Sequence, residues 1–203
     1  MPSMLEWGAG RDAAEIAVLA VHGRGGNPES MREISDRFGP TPAQFFAPEA
    51  PGNTWYPQPF LQSLEANEPA LSGSLATVDE CLEELAASGF GPERVVLWGF
   101  SQGACLVSHR VLTAPRRYRG LIAFTGGYIG PDEITAPGAV PLAGMPALLR
   151  SVSEDPWVPS HRVEATAEAL RAAGAEVDLR IAPGDQHIVT DEACAAATEF
   201  LAS

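Results

Sequence analysis

Short apolar segments that alternate with helical stretches are the feature that most limits how this chain can fold. Six runs have this apolar character, at residues 16–21, 44–47, 95–98, 121–124, 147–152 and 177–181. Strands that alternate with helices build a mostly parallel sheet with helices on both faces. A nearly continuous apolar composition is expected of strands that are buried on both sides. The sequence therefore predicts an α/β fold.

Helix boundaries support the same alternation. Asn27 and Pro28 are typical of an N-cap and a first helical position, and they predict a helix that extends to about residue 38. Four further helices are expected, over residues 65–88 with a break near Pro69, 102–113, 160–173 and 192–201. Ligands of open parallel sheets bind at the carboxyl ends of the strands. Functional residues are therefore expected directly after strands.

Length and charge limit the partners of the chain. It has 203 residues without an internal repeat or linker, which predicts one domain over residues 1–203. With 13 basic and 26 acidic residues, its formal net charge is −13. Such a surface repels nucleic acid and anionic membranes, so neither is expected as a partner. A mainly neutral small molecule is the better expectation for a ligand.

Cysteine and hydropathy patterns predict a cytoplasmic protein without membrane insertion. Cys81, Cys105 and Cys194 are odd in number, far apart and without C-x-x-C spacing, so neither disulfides nor a zinc cluster are expected. Residues 1–15 lack the pattern of a signal peptide, and no apolar run reaches the length of a membrane span. The histidines show no metal-binding spacing such as H-E-x-x-H, which argues against a metal enzyme.

The segment G-F-S-Q-G, residues 99–103, matches the pattern G-x-S-x-G. The match is informative because an apolar strand, residues 95–98, precedes it and a helical pattern follows it. A sharp turn in that setting projects the serine hydroxyl above the sheet, and the following helix N-terminus favours developing negative charge. Ser101 is therefore the predicted nucleophile. An inert serine in a glycine-rich turn is the alternative.

Acyl transfer to a serine needs hydrogen-bond donors for the negative oxygen of the tetrahedral intermediate. The amide after the nucleophile, that of Gln102, is one candidate. The second donor is expected in the loop after an early strand, here H-G-R-G-G at residues 22–26, and the Arg24 N–H is the predicted group. A plain turn or a phosphate site is the alternative, although the phosphate-loop pattern G-x-x-x-x-G-K-[ST] is absent.

The base is expected to follow the nucleophile and the acid along the chain. His22 precedes the nucleophile, His109 lies within the helix after it, and His161 opens another helix. Only His187 follows the last predicted strand, in the polar turn of residues 183–187. His187 is therefore the predicted base, with a solvated loop histidine as the alternative. For His22, a local hydrogen-bonding role is favoured over catalysis.

The acid is expected after a strand that lies between the nucleophile and the base. Asp155 meets this condition, since it closely follows the strand at residues 147–152. It would hold the imidazole tautomer and stabilise the imidazolium. A turn-forming aspartate before proline is the alternative role. Four other carboxylates are weaker candidates for the acid, namely Asp132, Glu154, Asp178 and Asp185.

These motifs together resemble the phospholipase/carboxylesterase family of α/β-hydrolases, which includes acyl-protein thioesterases and small bacterial carboxylesterases. The resemblance rests on L-A-V-H-G-R-G-G at residues 19–26, G-F-S-Q-G-A at 99–104, D-P-W-V-P at 155–159 and the late His187. It implies an α/β-hydrolase fold without a large lid domain, and it implies no cofactor. By this likeness Ser101, Asp155 and His187 would form a catalytic triad, and the amides of Arg24 and Gln102 an oxyanion hole.

Two departures from the acyl-protein thioesterase pattern point to the bacterial carboxylesterase branch. Gly26 stands where that pattern more often has Asp, and residues 53–57 differ from the longer loop associated with a lipid-binding tunnel. The expected substrates are therefore short- to medium-chain, mainly neutral esters or thioesters. Trp55, Tyr56 and Trp157 are the candidate residues for contact with an apolar acyl or aryl group.

Two other functions stay open at this point. A dienelactone-hydrolase-like activity would suit the fold, but that group usually has cysteine at the position of Ser101. A non-catalytic binding protein on a hydrolase scaffold is the second alternative, and loss of a triad residue would favour it. Residues 126–144 form a long proline-containing segment, which is a candidate for covering the site or for supporting a homodimer.

Overall fold

The computed structural model describes residues 3–132 and 140–203. The strands are β1 Met4–Gly8, β2 Ile16–Val21, β3 Ala43–Pro48, β4 Val95–Phe100, β5 Gly120–Phe124, β6 Pro146–Val152 and β7 Glu176–Ala182. The α-helices are α1 Pro28–Ser35, α2 Ala70–Ala87, α3 Gln102–Thr113, α4 Ser160–Ala172 and α5 Asp191–Ala202. The predicted alternation of strands and helices is confirmed. Residues 133–139, in the middle of the segment 126–144, lie outside the described residues.

The seven strands form one sheet in the order β1-β3-β2-β4-β5-β6-β7. Strands β2 to β7 pair in parallel, whereas β1 runs antiparallel to β3 at the edge. β1 was not expected from the sequence, because it is short and only partly buried. Its position depends on pairing with β3 and on Trp7, whose ring stacks on Phe45 with centroids 5.2 Å apart.

Different helices cover the two faces of the sheet. Residues 16, 18 and 20 of β2 pack in one core with side chains of α1 and α5. Residues 17, 19 and 21 pack in the other core with side chains of α2, α3 and α4. This alternation follows from the two-residue period of a strand. A mostly parallel sheet with helices on both faces is therefore confirmed.

α1 begins where its cap residues predict. The Asn27 side-chain oxygen accepts from the Ser30 N–H at 3.0 Å, and the Ser30 hydroxyl accepts from the Asn27 N–H at 3.2 Å. This reciprocal pair satisfies N–H groups that a helix start otherwise leaves without partners. The helix ends at Ser35 rather than near residue 38, because the chain then turns and Phe38 packs on Trp98 with ring centroids 5.0 Å apart.

α2 begins directly after Pro69, so the helix expected over residues 65–88 is divided where the sequence predicts a break. Proline has no N–H to donate, and it therefore suits a position before the hydrogen-bonded body of a helix. A separate 3₁₀ turn, Glu65–Asn67, precedes the break. Among the helices of the described residues, none has both the length and the apolar composition needed to cross a lipid bilayer.

The strand order of the sheet reverses direction at β2. Because β2 lies between β3 and β4, the chain leaves β2 toward one edge of the sheet and leaves β4 toward the other. The loops that follow these two strands therefore diverge at the carboxyl edge, which is where open α/β sheets bind ligands. The loop of residues 22–26 follows β2, and Ser101 follows β4. The predicted oxyanion loop and the predicted nucleophile therefore lie on either side of this reversal in strand order.

Candidate active site

Ser101 is the single residue between β4 and α3, and its backbone has φ 53° and ψ −118°. Non-glycine residues seldom adopt positive φ, and they persist there only where the surrounding structure enforces it. Two glycines permit this turn. A Cβ on Gly99 would lie 2.4 Å from the Ala104 nitrogen, and a Cβ on Gly103 would lie 2.0 Å from the Val21 oxygen. The strand–turn–helix setting expected for the G-x-S-x-G pattern is therefore present.

Ser101, His187 and Asp155 are joined by two short hydrogen bonds. The Ser101 Oγ and His187 Nε2 are 2.7 Å apart, and the His187 Nδ1 and Asp155 Oδ2 are also 2.7 Å apart. The Asp155 side chain is fully buried, whereas 17% of the His187 side chain is exposed. With its proton on Nδ1, the imidazole donates to Asp155 and presents the Nε2 lone pair to the serine hydroxyl.

Backbone amides fix the orientation of Asp155. Its Oδ1 accepts from the N–H groups of Trp157 and Val158, each at 2.9 Å. Oδ2 is thereby left to face His187. The aspartate follows β6 and the histidine follows β7, and these strands are neighbours in the sheet. Two residues that are 32 positions apart in sequence therefore meet at one edge of the sheet.

The other four carboxylates considered from the sequence are not joined to His187. Asp178 lies in β7, and its Oδ2 accepts from Arg150 at 2.8 Å on the face covered by α5. Asp132, Glu154 and Asp185 have exposed side chains. Among the carboxylates of the described residues, only that of Asp155 forms a hydrogen bond with the His187 ring.

His22 has the local role that the sequence predicts. It is fully buried, its Nδ1–H donates to the Gly23 oxygen at 2.8 Å, and its Nε2 accepts from the Ala50 N–H at 3.1 Å. Burial lowers the pKa of His22, which keeps the ring neutral in this position. Burial also lowers the pKa of His109 within α3. His161 lies on the exposed first turn of α4.

The loop after β2 and the start of α3 lie against each other. A Cβ on Gly23 would be 3.2 Å from the Ser101 Cβ, so the loop passes directly beside the serine. Among the described residues, no group accepts a hydrogen bond from the N–H of Arg24 or of Gln102. Unpaired N–H groups are normal in the first turn of a helix such as α3. Both predicted donors are therefore available to a negative oxygen.

The aromatic residues expected to contact substrate separate into two groups. Trp55 and Tyr56 are each 1% exposed and belong to the core, which corrects the prediction that they contact an acyl or aryl group of the substrate. The Trp55 indole N–H donates to the His22 oxygen at 2.8 Å, which turns the ring inward. Trp157 is 72% exposed beside Asp155. Ile188, next to His187 and 46% exposed, was not singled out from the sequence because no motif contains it.

The thiols have no place in the chemistry of this site. All three cysteines are free and buried, which confirms the prediction that Cys105 and Cys194 are core residues. Burial raises the pKa of Cys105 to about 11 and that of Cys81 to about 12, so these thiols stay protonated. Within residues 3–132 and 140–203, no group of three or more His, Cys, Asp or Glu side chains is arranged to hold a metal ion.

Comparison with known proteins identifies the family. The family profile described as Phospholipase/Carboxylesterase matches residues 6–203. The chain belongs to the phospholipase/carboxylesterase family. Esterase YpfH of Escherichia coli K12 is 30% identical over 197 residues, which cover 93% of this chain and 82% of that protein. Acyl-protein thioesterase 1 of Eremothecium gossypii is 28% identical over 129 residues, which cover 56% of this chain and 55% of that protein.

Solved structures of similar proteins have the same fold. A phospholipase/carboxylesterase from Dyadobacter fermentans DSM 18053 superposes with a TM-score of 0.91 at 30% identity, over 100% of this chain and 97% of that one. Esterase PE8 superposes with a TM-score of 0.79 at 27% identity, over 98% and 97% of the two chains. The predictions of an α/β-hydrolase fold and of an enzyme acting on ester or thioester bonds are confirmed.

Proposed function

We propose that this member of the phospholipase/carboxylesterase family is a serine esterase or thioesterase that forms an acyl-enzyme on Ser101. The observation that carries the proposal is the pair of 2.7 Å hydrogen bonds linking Ser101, His187 and Asp155. A serine hydroxyl is a weak nucleophile until a neighbouring base accepts its proton. Here the base already contacts the hydroxyl, and a buried carboxylate holds the base.

The proposed reaction has two stages. Ser101 attacks the carbonyl carbon while His187 takes the hydroxyl proton, and Asp155 stabilises the resulting imidazolium. The N–H groups of Arg24 and Gln102 donate to the oxyanion. His187 then returns the proton to the leaving alcohol or thiol, which leaves an acyl group on Ser101. In the second stage, His187 activates a water molecule that releases the acid and restores the serine.

The substrate proposal rests on the surface beside the triad. Trp157 and Ile188 present apolar side chains next to Asp155 and His187, which suits an apolar acyl or aryl group. Because the Trp157 ring is mostly exposed, it supports a short or medium chain without enclosing a long one. The net charge of −13 disfavours strongly anionic substrates. Esters and thioesters pass through the same type of tetrahedral intermediate, so the proposal includes both.

We also propose that residues 1–203 act as one domain in a reducing, cytoplasmic compartment. The seven strands found in residues 3–132 and 140–203 all belong to one sheet, which supports a single folding unit. The three unpaired cysteines support the compartment, because disulfides are rare in the cytosol and common in secreted proteins.

A fluorophosphonate probe is expected to label the purified protein once, on Ser101. The probe reacts with activated serine hydroxyls and needs no knowledge of the substrate. Intact mass measures the number of adducts, and peptide mapping locates them. His187→Ala is expected to slow labelling at least about 100-fold, because the general base is removed.

Ser101→Ala is the control for the site of labelling and should give no adduct. Folding of each variant is checked by circular dichroism. A folded wild-type protein that takes up no probe, and that hydrolyses no ester or thioester, would contradict the proposed function. That result would favour a binding protein on a hydrolase scaffold.

Trp157→Ala is expected to lower kcat/KM for a p-nitrophenyl octanoate about 10-fold, roughly the contribution of two buried methylene groups. The change for p-nitrophenyl acetate should be less than about 2-fold, because a two-carbon acyl group has little apolar surface to lay on the indole. The measurement is a series of kcat/KM values over acyl chains of increasing length.

Val140→Ala is a matched control for that series. Val140 is also an exposed apolar side chain, at 61%, but it lies beside Gly174 before β7, away from the carboxyl edge. It should leave every kcat/KM value unchanged. Equal losses for acetate and octanoate in Trp157→Ala would contradict a role for the indole in acyl-chain contact. Wild-type activity restricted to long acyl chains would contradict the proposed substrate class.

A further inference from the structure

The segment of residues 50–58 wraps around the predicted oxyanion loop. The Asn53 oxygen accepts from the Gly25 N–H at 2.7 Å, and the Ala50 N–H donates to His22 at 3.1 Å. Neither the segment nor the loop belongs to a strand or an α-helix. Such connections are more mobile than the sheet unless other contacts restrain them. The contacts that hold the two segments together therefore decide how firmly the Arg24 N–H is placed.

The Arg24 guanidinium binds three consecutive carbonyl oxygens of this segment. It donates to Tyr56 at 2.8 Å, Pro57 at 2.9 Å and Gln58 at 3.0 Å. A planar guanidinium has five N–H donors in a fixed arrangement, so one side chain can fix three backbone positions. The side chain of Arg24 is thus occupied by the protein's own backbone, and its amide N–H is left free.

The Gln102 side chain binds the same segment. Its Oε1 accepts from the Trp55 N–H at 3.0 Å, and its Nε2 donates to the Tyr56 oxygen at 2.7 Å. The side chain is buried, so water does not replace these bonds easily. As with Arg24, the side chain binds the 50–58 segment while the amide N–H of the same residue is free.

The two side chains share one acceptor. The Tyr56 oxygen accepts from both Arg24 and Gln102. We propose that the Arg24 guanidinium and the Gln102 carboxamide are positioning groups, which hold the two oxyanion-hole N–H groups at a fixed separation through the Tyr56 carbonyl. This inference rests on the proposed function, and it assigns to these side chains a role distinct from that of their amides.

The physical reason is preorganisation. Oxyanion donors accelerate a reaction only if they already point to the place where charge develops, because ordering them during the reaction offsets the gain. The loop of residues 22–26 contains three glycines and is intrinsically flexible. The three hydrogen bonds from the Arg24 guanidinium to residues 56–58 restrict the loop before substrate binds. Loss of these hydrogen bonds should therefore weaken stabilisation of the transition state more than it weakens substrate binding.

Arg24→Gln tests the inference. We expect kcat for a p-nitrophenyl ester to fall about 10- to 100-fold while KM changes little. This loss does not exceed the loss of about 100- to 1,000-fold that is typical when an oxyanion-hole donor is removed altogether. The affinity for a trifluoromethyl ketone, which forms a tetrahedral adduct with the serine, should fall by the same factor as kcat/KM. Arg24→Lys should recover part of kcat, because an ammonium group can still bind one or two of the carbonyls.

Arg94→Gln is the matched control. The Arg94 guanidinium also binds three backbone oxygens, those of Glu15 at 2.8 Å, Ala14 at 2.9 Å and Gly89 at 3.2 Å. Arg94 directly precedes β4, so these bonds lie at the amino end of that strand, whereas Ser101 follows its carboxyl end. Arg94→Gln should lower the melting temperature without lowering kcat. A merely structural role for Arg24 would give the same pattern in Arg24→Gln, and that result would overturn the inference.

Gln102→Met supplies a second, independent variant, since it keeps the volume of the side chain and removes its hydrogen bonds. It should also lower kcat and the affinity for the ketone in parallel. Because both side chains act on the Tyr56 oxygen, the double variant Arg24→Gln/Gln102→Met should lose less than the product of the single losses. Losses that multiply fully would overturn the shared-acceptor part of the proposal. If the wild-type protein hydrolyses esters and the variants are just as active, this inference is refuted and the proposed function stands.

Discussion

Asp155→Asn is expected to lower kcat about 10⁴-fold while the fold stays intact. The Asn carbonyl oxygen can accept the two backbone N–H hydrogen bonds that Asp155 Oδ1 accepts now, so the new amide NH₂ would face His187. Two donors cannot face each other, and His187 would therefore shift its proton from Nδ1 to Nε2. The nitrogen beside Ser101 would then have no lone pair with which to take the hydroxyl proton. Steady-state kinetics on an activated ester, with a melting curve for each protein, measures the effect.

Glu154→Gln is the matched control for this substitution. Glu154 is the neighbouring carboxylate and a weaker candidate for the acid from the sequence, but its side chain is exposed, and among the carboxylates of the described residues it is Asp155 that hydrogen-bonds to His187. Its kcat should stay within about 2-fold of wild type, as is usual for a surface carboxylate without a partner. A loss below about 10-fold for Asp155→Asn would contradict the proposed role of Asp155, because the tautomer argument demands a large effect.

Gly103→Ala is expected to destabilise the protein by about 3 kcal/mol or more, at or above the usual range for overpacking a core. The added methyl carbon would lie 2.0 Å from the Val21 oxygen and 2.6 Å from the His22 oxygen. Both are backbone atoms at the end of β2, so neither can move aside as a flexible side chain would. Urea denaturation measures the free energy of unfolding, and any folded fraction should label slowly with fluorophosphonate because the Ser101 turn is displaced.

Gly73→Ala is the comparison that separates crowding from helix propensity. Gly73 lies inside α2, and a Cβ there would meet nothing within 4 Å. This change should stabilise the protein by about 0.5–1 kcal/mol, because alanine loses less backbone entropy than glycine on forming a helix. A Gly103→Ala variant as stable as wild type would show that α3 can move away from β2. The close approach would then not be needed to hold the Ser101 turn.

The strands that carry the site could be predicted because the residues of each strand are by themselves typical of a buried strand. The run IAVLAV becomes β2 and the run VVLW becomes most of β4, since apolar β-branched residues suit a strand buried on both faces. β1 was missed because it has the weaker pattern of an edge strand, and its pairing with β3 supplies what its own sequence lacks. The helix start at Pro28 and the break near Pro69 were predictable from proline chemistry, whereas the sequence placed the start of the second helix at residue 65 and the structure has it at Ala70.

Burial of aromatic side chains could not be predicted in the same way. Trp55, Tyr56 and Trp157 all lie in proline-containing loops near the motifs, and all three were expected to face substrate. The first two turn into the core, where Gln102 and Arg24 bind their backbone, and only Trp157 faces solvent. Whether a loop aromatic points inward depends on the groups that bind its backbone or side chain, such as the His22 oxygen that accepts from the Trp55 indole, and those groups are distant in sequence.

The sequence by itself determined the order of strands and helices from β2 onward, the turn that projects Ser101, and the positions of Asp155 and His187 after successive strands. Local propensity and the side-chain period are enough for these features, because each depends on residues close together in the chain. Only the tertiary structure decided that Arg24 and Gln102 meet at the Tyr56 oxygen, and that the three site residues join at 2.7 Å. Hydrogen bonds depend on distance and direction to within a few tenths of an ångström, and only the packed sheet and its loops fix atoms that closely.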